Sequence, residues 1–559
     1  MNSKIYSVLI GGKAGEGVKK AAQVIANLAA KHHLYTFQTD DYQSLIRGGH
    51  NFSLISIASE RVFNTYEKAD LIVSFDKRSV LRHLDDMAVD ALHFCNEGDS
   101  DDPRAIPLPL SALMKEHYKE TAHISLAAVA IFAALCEISL SALQDIIKVE
   151  FKRQVEENIA YASAIYAIIK ERFPQPQMSL DLTANPPAKI YSGNQMIALG
   201  AYAAGLDYYY GYPMTPASSI LHYLARIRDS HGVHAIHAES ELAAINMAIG
   251  SVFAGRRSAV GSSGGGFALM EEAYSLAGMV EAPLLCVLSS RPGPATGVAT
   301  FTGQEDLYFA LNQGHGEFAR IVASPDCFER AFSLAAELLD LAWECQSPTI
   351  LLTEKHLSEG LINVDLPLDE VPPLFENKAA FTEPYLRYAI TESGISPLKF
   401  PGADHCDEED IIKWNSNEHE ECGVRTDEAP NIVAMRDKRD RKYETIAKAT
   451  KKYQRIAKYG QDGPIVFAYG STALELREAQ KYLPFQIVVP IYLEPFPFEE
   501  LEEYQNAEVI VVEHASHANF ARFLKEKLDV KVKANILRYD GRHFATQELV
   551  QKLKEAFDA

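Results

Sequence analysis

Apolar runs followed by helical patterns recur from the beginning of the chain. The first run, IYSVLI, leads through GGKAGEG into a segment whose apolar residues repeat at helical spacing from Val18 to Ala29. Two further strand-like runs follow, NFSLISIAS and ADLIVSF, and helical patterns fill much of 125–173. Short apolar strands that alternate with amphipathic helices predict an α/β domain. We place this first domain at 1–175.

A proline-rich stretch, PQPQMSLDLTANPPAK, separates this domain from a second alternating region. The region contains a helical pattern over 194–204, the strand-like run HAIHA, a helical pattern from Glu241 to Ala254, and the strand-like runs SAVGSS and APLLCVLSSR. This order predicts a doubly wound, mainly parallel sheet with ligand sites at the carboxyl ends of its strands. We place this second domain at 189–365.

The rest of the chain divides into two parts with different patterns. Residues 366–455 carry many charges, including RDKRDRKYE, and few periodic apolar runs, which predicts an extended connection that ends in a solvated helix. The runs GPIVFAYGS, QIVVPIYL and AEVIVVEHA then predict a compact α/β domain at 456–559. The predicted fold class is therefore α/β, with three α/β domains.

Composition excludes several classes of protein. The formal net charge is −21, so a phosphate surface would repel most of this protein, and we expect neither a general nucleic-acid binder nor a membrane binder. The most apolar long run, from Ile124 to Cys136, is too short to cross a bilayer and predicts a buried helix. The first residues show no signal-type pattern, so we expect a cytoplasmic location.

The seven cysteines form no CxxC pair and no regular spacing. This pattern indicates neither a disulfide framework nor a zinc or iron-sulfur site, and we expect no metal bound by this chain. If the protein is a redox enzyme, its electrons leave through another chain.

Two glycine-rich segments of the first domain are candidate ligand contacts. Glycines at positions 11, 12, 15 and 17 follow a strand and precede a helix, where backbone N–H groups can approach a phosphate or CoA. A tight structural turn is the alternative. Arg47 lies in QSLIRGGHN, where the glycine pair would let it approach a ligand, although a solvated loop arginine has the same pattern.

The second domain offers a proline-flanked threonine and a glutamate. Two prolines restrict the loop from Tyr212 to Pro216 and would hold the Thr215 hydroxyl in one direction, but a helix N-cap is an alternative. Glu241 begins a helix whose dipole would stabilise a carboxylate in the first turn. The apolar positions of this helix that we expect to face a core are Leu242, Ile245, Ile249 and Val252.

Arg291 ends an apolar strand and enters the loop RPGPATGVATFTGQEDL. Among Thr296, Thr300, Thr302 and Gln304, its guanidinium group would form a carboxylate pocket, because it can bind a carboxylate through two hydrogen bonds. A surface ion pair is the alternative. The turn at 264–266 also follows a strand, without indicating a ligand by itself.

Taken in order, these segments resemble the fused gamma-alpha subunit of 2-oxoacid:ferredoxin oxidoreductases of the 2-oxoglutarate type. The resemblance rests on GGKAGEGV, QSLIRGGHN, GYPMTPAS, HAESELAAINMAIG, GSSGGGFALMEEAYSLAGM and RPGPATG, and it continues through TESGISPLKFPG, NEHEECG, RDKRDRK and YDGRHF. It implies a gamma-type domain, a pyrimidine-binding domain for thiamine diphosphate, and a transketolase C-terminal-like domain. The run EHASHANF and Pro292 depart from the common pattern, which concerns substrate and CoA details.

The resemblance also implies roles for single residues. Glu241 would hydrogen-bond the aminopyrimidine ring of thiamine diphosphate and promote its activation, with Tyr212 and Pro213 in the cofactor-binding loop.

The remaining implied roles concern the substrate. Thr215 would hydrogen-bond the carboxylate or keto oxygen of a 2-oxoacid, and Arg291 and Thr300 would bind its carboxylate. Arg47 is a candidate contact for substrate or CoA.

The implied enzyme needs a second chain. A beta subunit would supply the diphosphate and Mg²⁺ site and a [4Fe-4S] cluster, in a heterodimer or α2β2 assembly, and electrons would pass to ferredoxin. With CoA as co-substrate, the enzyme would convert a 2-oxoacid to acyl-CoA and CO₂, in either direction. We expect 2-oxoglutarate first, with pyruvate, branched-chain acids or broad specificity as alternatives.

Two other function classes stay open on the residues alone. The glycine-rich first turn would also suit a nicotinamide-dependent dehydrogenase, although no acidic residue clearly ends the next strand at the ribose-binding position. A non-catalytic scaffold subunit would differ in giving no thiamine-dependent activity with any partner.

Overall fold

The computed structural model describes residues 4–43, 48–118, 124–178, 184–187, 189–375, 384–402 and 412–558. The chain forms two compact units. Unit 1 comprises Met1–Ser192, Glu359–Asp365 and Phe544–Lys552, and unit 2 comprises Gly193–Ser358, Leu366–His543 and Leu553–Ala559. Three sheets organise the two units, which confirms the predicted α/β class.

Twenty strands are present in the described part of the chain. In order they are β1 (Tyr6–Ala14), β2 (Tyr35–Asp41), β3 (Gly48–Ala58), β4 (Ala69–Ser74), β5 (Met87–Asn96), β6 (Ala105–Leu108), β7 (Ile190–Ser192), β8 (Tyr208–Gly211), β9 (His234–His237), β10 (Ser258–Ser262), β11 (Leu285–Ser290), β12 (Ile321–Ala323), β13 (Thr349–Glu354), β14 (Leu361–Asn363), β15 (Ile456–Tyr459), β16 (Ile465–Phe467), β17 (Gln486–Pro490), β18 (Tyr492–Glu494), β19 (Glu508–Glu513) and β20 (Lys531–Leu537).

Nineteen α-helices accompany them in the same described residues. They are α1 (Val18–Lys31), α2 (Lys77–His83), α3 (Leu110–His117), α4 (Leu126–Leu135), α5 (Leu140–Glu150), α6 (Val155–Arg172), α7 (Gly193–Ala203), α8 (Ser218–His231), α9 (Glu241–Phe253), α10 (Gly264–Leu269), α11 (Glu271–Met279), α12 (Leu307–Leu311), α13 (Phe328–Cys345), α14 (Lys355–Glu359), α15 (Ala429–Thr450), α16 (Thr472–Ala479), α17 (Phe498–Leu501), α18 (Asn519–Leu528) and α19 (Thr546–Asp558).

Unit 1 is built on an eight-stranded mixed sheet with the order β6-β5-β4-β1-β3-β2-β14-β7. Strand β1 continues through Gly11 and Gly12, which pair with Phe52 and Asn51 of β3, so the turn before α1 is shorter than the sequence suggests. Helix α4 is buried at every position, which confirms the buried helix predicted for this apolar run.

Two short strands at one edge of this sheet close a long excursion of the chain. Strands β7 and β14 pair in antiparallel fashion, with Ser192 opposite Leu361 and Ile190 opposite Asn363. The Asn363 side chain accepts hydrogen bonds from the Thr36 N–H and hydroxyl at 2.6 and 2.9 Å, which fixes β14 beside β2. The chain therefore leaves unit 1 and returns to it at neighbouring positions.

Unit 2 contains a seven-stranded sheet, ordered β18-β12-β13-β11-β10-β8-β9, and a five-stranded sheet, ordered β15-β17-β16-β19-β20. The seven-stranded sheet is parallel except where β18 pairs with β12, which confirms the mainly parallel prediction. One apolar cluster includes side chains from both sheets. Because β8, β10 and β11 run parallel, their carboxyl ends lie at the same edge of the seven-stranded sheet.

The prediction of a solvated helix within the charged connection holds for one face of α15 and is wrong for the other. Lys438 and Lys442 are buried on this helix, and both Nζ atoms contact the buried Glu281 carboxylate, at 2.6 and 2.5 Å. Opposite charges at hydrogen-bond distance offset much of the cost of burying them. Charge content alone therefore did not distinguish a solvated helix from one held by buried ion pairs.

Among the residues that the structure covers, no helix combines the length and the apolar character needed to span a bilayer.

Candidate active site

Three loops of unit 2 meet at the carboxyl edge of the seven-stranded sheet. The loop with Tyr212 and Thr215 follows β8, the turn at Gly264 follows β10, and Arg291 follows β11. Strands β8, β10 and β11 are parallel neighbours, and such strand ends are where open α/β sheets bind ligands. The structure thus brings together the candidate residues of the second domain.

Glu241 is the first residue of α9, and it is not needed as the helix cap. The preceding Ser240 takes that role, because its hydroxyl accepts a hydrogen bond from the Ala243 N–H at 3.2 Å. The Glu241 side chain is buried, and its Oε1 atom has no hydrogen-bond partner among the described residues. A buried carboxylate oxygen without a partner is costly, so this atom is suited to a donor from a ligand.

Gly266 lies against this carboxylate. A β-carbon at Gly266 would come within 2.5 Å of Glu241 Oε1 and 2.2 Å of Ser262 Oγ. Only glycine therefore fits between the two polar side chains without a shift of either. The glycine-rich turn, which indicated no ligand by itself in the sequence, forms one wall of the Glu241 site.

Arg291 is joined to the proline-flanked loop. Its Nη1 atom donates a hydrogen bond to the Thr215 carbonyl at 2.7 Å, and the side chain is only 8% exposed. Burial lowers the pKa of the guanidinium group, and the nearby Asp306 opposes that change. This position favours the carboxylate-pocket interpretation over a surface ion pair.

Thr215 does not cap a helix. Helix α8 begins at Ser218 with Ala217 at the N-cap position, so the N-cap alternative for Thr215 is wrong. The peptide bond between Thr215 and Pro216 is cis. Thr300, the second residue proposed to bind a carboxylate, is buried in the loop that follows Arg291.

Asp306 was not singled out from the sequence. Burial raises the pKa of its carboxyl group to about 6, against the opposing effects of Ser290 and Arg291. Its Oδ2 atom has no hydrogen-bond partner in the described chain and would lie 2.8 Å from a β-carbon on Gly264. An acidic residue at the end of a loop that begins with an arginine after an apolar strand is the sequence signal that could have identified it.

Tyr212 and Pro213 lie at the outer side of the site. Tyr212 is 41% exposed, and its ring centroid is 6.0 Å from that of His237. Leu242 is 47% exposed, so the prediction that it faces a core is wrong, whereas Ile245, Ile249 and Val252 are buried as predicted. Leu242 occupies the side of α9 that the core does not cover.

Unit 1 contains a separate cavity of about 470 Å³ at the glycine-rich turn. Its lining includes Gly15, Gly17, Lys13, Lys19 and Lys20, and also the acidic Asp40 and Asp41. Lys19 pairs with Asp40 at 3.0 Å and Lys20 with Glu150 at 2.5 Å. Arg47, the other candidate of this domain, lies outside the described residues.

No group of three or more histidine, cysteine or acidic side chains with metal-binding geometry occurs in the part of the chain that the structure describes.

Two family models match the chain. A family model described as pyruvate flavodoxin/ferredoxin oxidoreductase, thiamine diphosphate-binding, matches residues 199–457, and a model described as pyruvate ferredoxin/flavodoxin oxidoreductase matches residues 7–168. The first contains Glu241 and Arg291, and the second contains the unit 1 cavity.

Relatives align with nearly the whole chain or with part of it. A 2-oxoacid:ferredoxin oxidoreductase subunit alpha from Sulfolobus sp. is 27% identical over 98% of this chain and 96% of the relative. A 2-oxoglutarate synthase subunit KorA from Archaeoglobus fulgidus is 32% identical over 32% of this chain and 52% of the relative.

A solved structure shares the fold. The 2-oxoglutarate:ferredoxin oxidoreductase from Magnetococcus marinus superposes with a TM-score of 0.87 at 24% identity, over 99% of this chain and 100% of that one. Because the domain models, the full-length relatives and the fold coincide, the chain belongs to the 2-oxoacid:ferredoxin oxidoreductases, as an alpha-type subunit of a thiamine diphosphate-dependent enzyme.

Proposed function

We propose that this chain is the alpha subunit of an enzyme that oxidatively decarboxylates 2-oxoglutarate to an acyl-CoA and passes the electrons to ferredoxin. The observation that carries the proposal is the placement of a buried, unpartnered Glu241 oxygen and a buried Arg291 at one sheet edge. The relative from Magnetococcus marinus is described with 2-oxoglutarate, CoA and succinyl-CoA bound, which supports this substrate.

The residues present fit thiamine diphosphate. Glu241 Oε1 needs a hydrogen-bond donor, and Gly266 keeps the space beside it free of a side chain. Glu241 would hold the aminopyrimidine ring, with Tyr212 and Pro213 along the same loop edge. The chemistry that thiamine diphosphate supplies is a carbon nucleophile for the keto group and a sink for the charge left by CO₂.

Glu241 contributes by fixing a proton. A carboxylate at hydrogen-bond distance from a ring nitrogen holds a proton there and so selects one tautomer of the ring. Burial strengthens this interaction, because little water competes for the carboxylate. The Ser240 cap holds the first turn of α9 and hence the direction of Glu241.

Arg291 and Thr300 would bind the carboxylate next to the keto group. The Arg291 Nη1 atom is held by the Thr215 carbonyl, and its Nε atom has no hydrogen-bond partner among the described residues. A guanidinium group in this state can donate to an oxyanion without breaking an existing bond. Thr215 lies in the loop after β8, and its hydroxyl is our candidate donor to the keto oxygen.

The exposed apolar side chains around the site support a beta partner. Tyr212, Leu242, Met247 and Leu269 are all more than 40% exposed, and they lie on the loop and helices that carry the site. A partner that covers them would exclude water from the cofactor. We propose that the beta subunit does so in an α2β2 assembly and supplies Mg²⁺, the [4Fe-4S] cluster and the main ferredoxin contact.

The unit 1 cavity is our candidate for CoA. It lies at the N-terminus of α1, whose first turn has no acidic residue, and its lining includes Lys13, Lys19 and Lys20 together with Asp40 and Asp41. Backbone N–H groups at a helix N-terminus favour phosphate oxygens. Because the protein as a whole is strongly negative, a local group of lysines is needed to attract CoA. Arg47 remains a proposed contact for CoA or for the distal carboxylate.

The test is CoA-dependent reduction of a viologen dye by this chain co-expressed anaerobically with its beta partner. We expect activity with 2-oxoglutarate above that with pyruvate or a branched-chain 2-oxoacid. Higher activity with pyruvate or a branched-chain 2-oxoacid would reassign the substrate. A complex that holds thiamine diphosphate and a cluster but reduces no dye with any 2-oxoacid would favour the scaffold alternative.

A further inference from the structure

The loop that begins at Arg291 is anchored at Gln304, and every polar group of Gln304 is used. Its Nε2 atom donates to Glu354 Oε1 at 2.7 Å and to the Tyr469 carbonyl at 2.8 Å. Its Oε1 atom accepts from Thr472 Oγ1 and from the His514 N–H, both at 3.0 Å. The side chain is 1% exposed. Two donors and two acceptors at one position are properties of an amide, which a carboxylate cannot replace.

The backbone around Gln304 is held as well. Its N–H donates to the His514 carbonyl at 2.8 Å, and its carbonyl accepts from the Tyr469 hydroxyl at 2.9 Å. Two residues earlier, the Thr302 N–H donates to the Gly541 carbonyl at 2.9 Å. A β-carbon on Gly541 would come within 2.9 Å of the Phe301 side chain. Residues of the C-terminal sheet region therefore surround the end of the loop.

Glu354 connects this anchor to the strand that carries Arg291. It is the last residue of β13 and lies opposite Ser290, the residue before Arg291. Its Oε1 atom also accepts from the Ser471 N–H at 2.7 Å. A β-carbon on Gly470 would lie 2.3 Å from the same oxygen. The Gln304–Glu354 contact thus ties both ends of the loop from 291 to 304 to one point.

We propose that Gln304 is a positioning residue for the 2-oxoacid, because it joins Glu354 to the C-terminal residues Tyr469, Thr472 and His514 and thereby fixes the loop that carries Arg291 and Thr300. This inference rests on the proposed function, in which Arg291 and Thr300 bind the carboxylate. It gives the C-terminal domain, for which the sequence indicated no ligand contact, a part in substrate binding.

The first test is the kinetics of Gln304→Ala in the complex with the beta subunit. We expect KM for the 2-oxoacid to rise on the order of tenfold or more, since small displacements of binding groups have large kinetic effects. The KM for CoA and the thiamine diphosphate content stay at the wild-type values. Gln480→Ala is the matched control, because the Gln480 amide also donates to two carbonyls, of Tyr459 and Phe485, away from the loop.

The second test uses the carboxylate variant Gln304→Glu. It places a carboxyl group at hydrogen-bond distance from Glu354, whose own pKa burial raises to about 7. The two carboxyls can share a proton in acid and repel each other in base. The ratio of variant to wild-type KM should therefore be larger at pH 8 than at pH 6, and Gln304→Glu/Glu354→Gln should lower it at pH 8.

Hydrogen exchange gives a readout that does not need activity. In Gln304→Ala, peptides covering 292–303 should exchange faster than in the wild-type complex, whereas Gln480→Ala leaves them unchanged. If wild-type complex is active and Gln304→Ala keeps both its KM and its exchange, the inference is wrong while the proposed function stands. If wild-type complex turns over no 2-oxoacid, the proposed function fails, and unchanged exchange would still refute the anchor.

Discussion

The Glu241 carboxylate and the Gly266 backbone are so close that a β-carbon on Gly266 would lie 2.5 Å from Glu241 Oε1. Gly266 lies in α10, which follows strand β10. Strand β10 is the neighbour of β8, the strand that precedes the Thr215 loop. The contact joins a glycine-rich turn to a carboxylate that the family resemblance had singled out separately. The contact can therefore be tested by substituting Gly266.

Gly266→Ala should impair thiamine diphosphate binding and abolish most activity, because the methyl group must displace Glu241 or Ser262. Retained cofactor with normal turnover would show that the contact is unimportant. The measurement is cofactor content and viologen reduction of the purified complex. Gly250→Ala is the control, since a β-carbon at Gly250 on α9 meets no atom within 4 Å.

Glu241→Gln should lower the rate of decarboxylation by roughly 10²- to 10⁴-fold, the range for loss of an acid-base group. The amide keeps the shape of the side chain, so assembly with the beta subunit should persist, as size-exclusion chromatography would show. The exposed neighbour Glu239, changed to Gln, serves as the control and should leave the rate unchanged. Wild-type turnover in Glu241→Gln would contradict the assignment.

Arg291→Ala should raise KM for the 2-oxoacid and cost about 2 to 4 kcal/mol in kcat/KM, because a buried carboxylate loses its partner. The exposed Arg256, changed to Ala, should have no such effect. Steady-state kinetics over a range of 2-oxoacid concentrations separates KM from kcat. An unchanged KM in Arg291→Ala would return this residue to a structural role in holding the Thr215 loop.

Asp306 should make stability depend on pH. Its folded-state pKa of about 6 lies above the ordinary value of 3.8, so its contribution is fully favourable below about pH 4 and is lost as pH rises through 6. Asp306→Asn removes that loss and should stabilise the complex above pH 6 by at most roughly 3 kcal/mol, at about 1.4 kcal/mol for each unit of pKa.

Thermal unfolding midpoints of wild type and Asp306→Asn, measured at pH 5 and pH 8, test this expectation. The variant should gain more at pH 8 than at pH 5. An equal difference at both values would mean that Asp306 does not titrate in this range. Activity should fall in the same variant if the carboxyl group serves the site, a common trade between stability and function.

The elements of the fold could be predicted because they depend on local pattern. The apolar pattern around 190–290 predicted the helix that begins at Glu241 and the strands before Gly264 and Arg291 close to their observed positions, whereas strand β8 before the Thr215 loop was not predicted. Neighbouring strands that run parallel end at the same edge of a sheet, so a parallel sheet by itself brings the residues after those strands together. The assignment of roles to these residues came instead from the resemblance to a family.

The remaining features depend on contacts between residues far apart in the chain. Lys438 is 157 residues from Glu281, so the charge pattern of α15 could not show that two of its lysines are buried. Gln304 is 165 residues from Tyr469, and only the folded chain shows that its amide is saturated. Leu242 follows the helical apolar pattern and is nevertheless exposed, because periodicity identifies a helix face without saying what covers it.

The pairing of β7 with β14 has a consequence for how the chain can evolve. Because Ser192 lies opposite Leu361, the whole segment between them begins and ends at adjacent points of one sheet edge. A segment with adjacent ends can be gained, lengthened or exchanged as a cassette without a change in the register of the strands that carry it. Six of the seven strands of the sheet beside Glu241 and Arg291 lie in this segment, so most of that sheet can be exchanged with it while the eight-stranded sheet keeps its order, and only β18 comes from outside the segment.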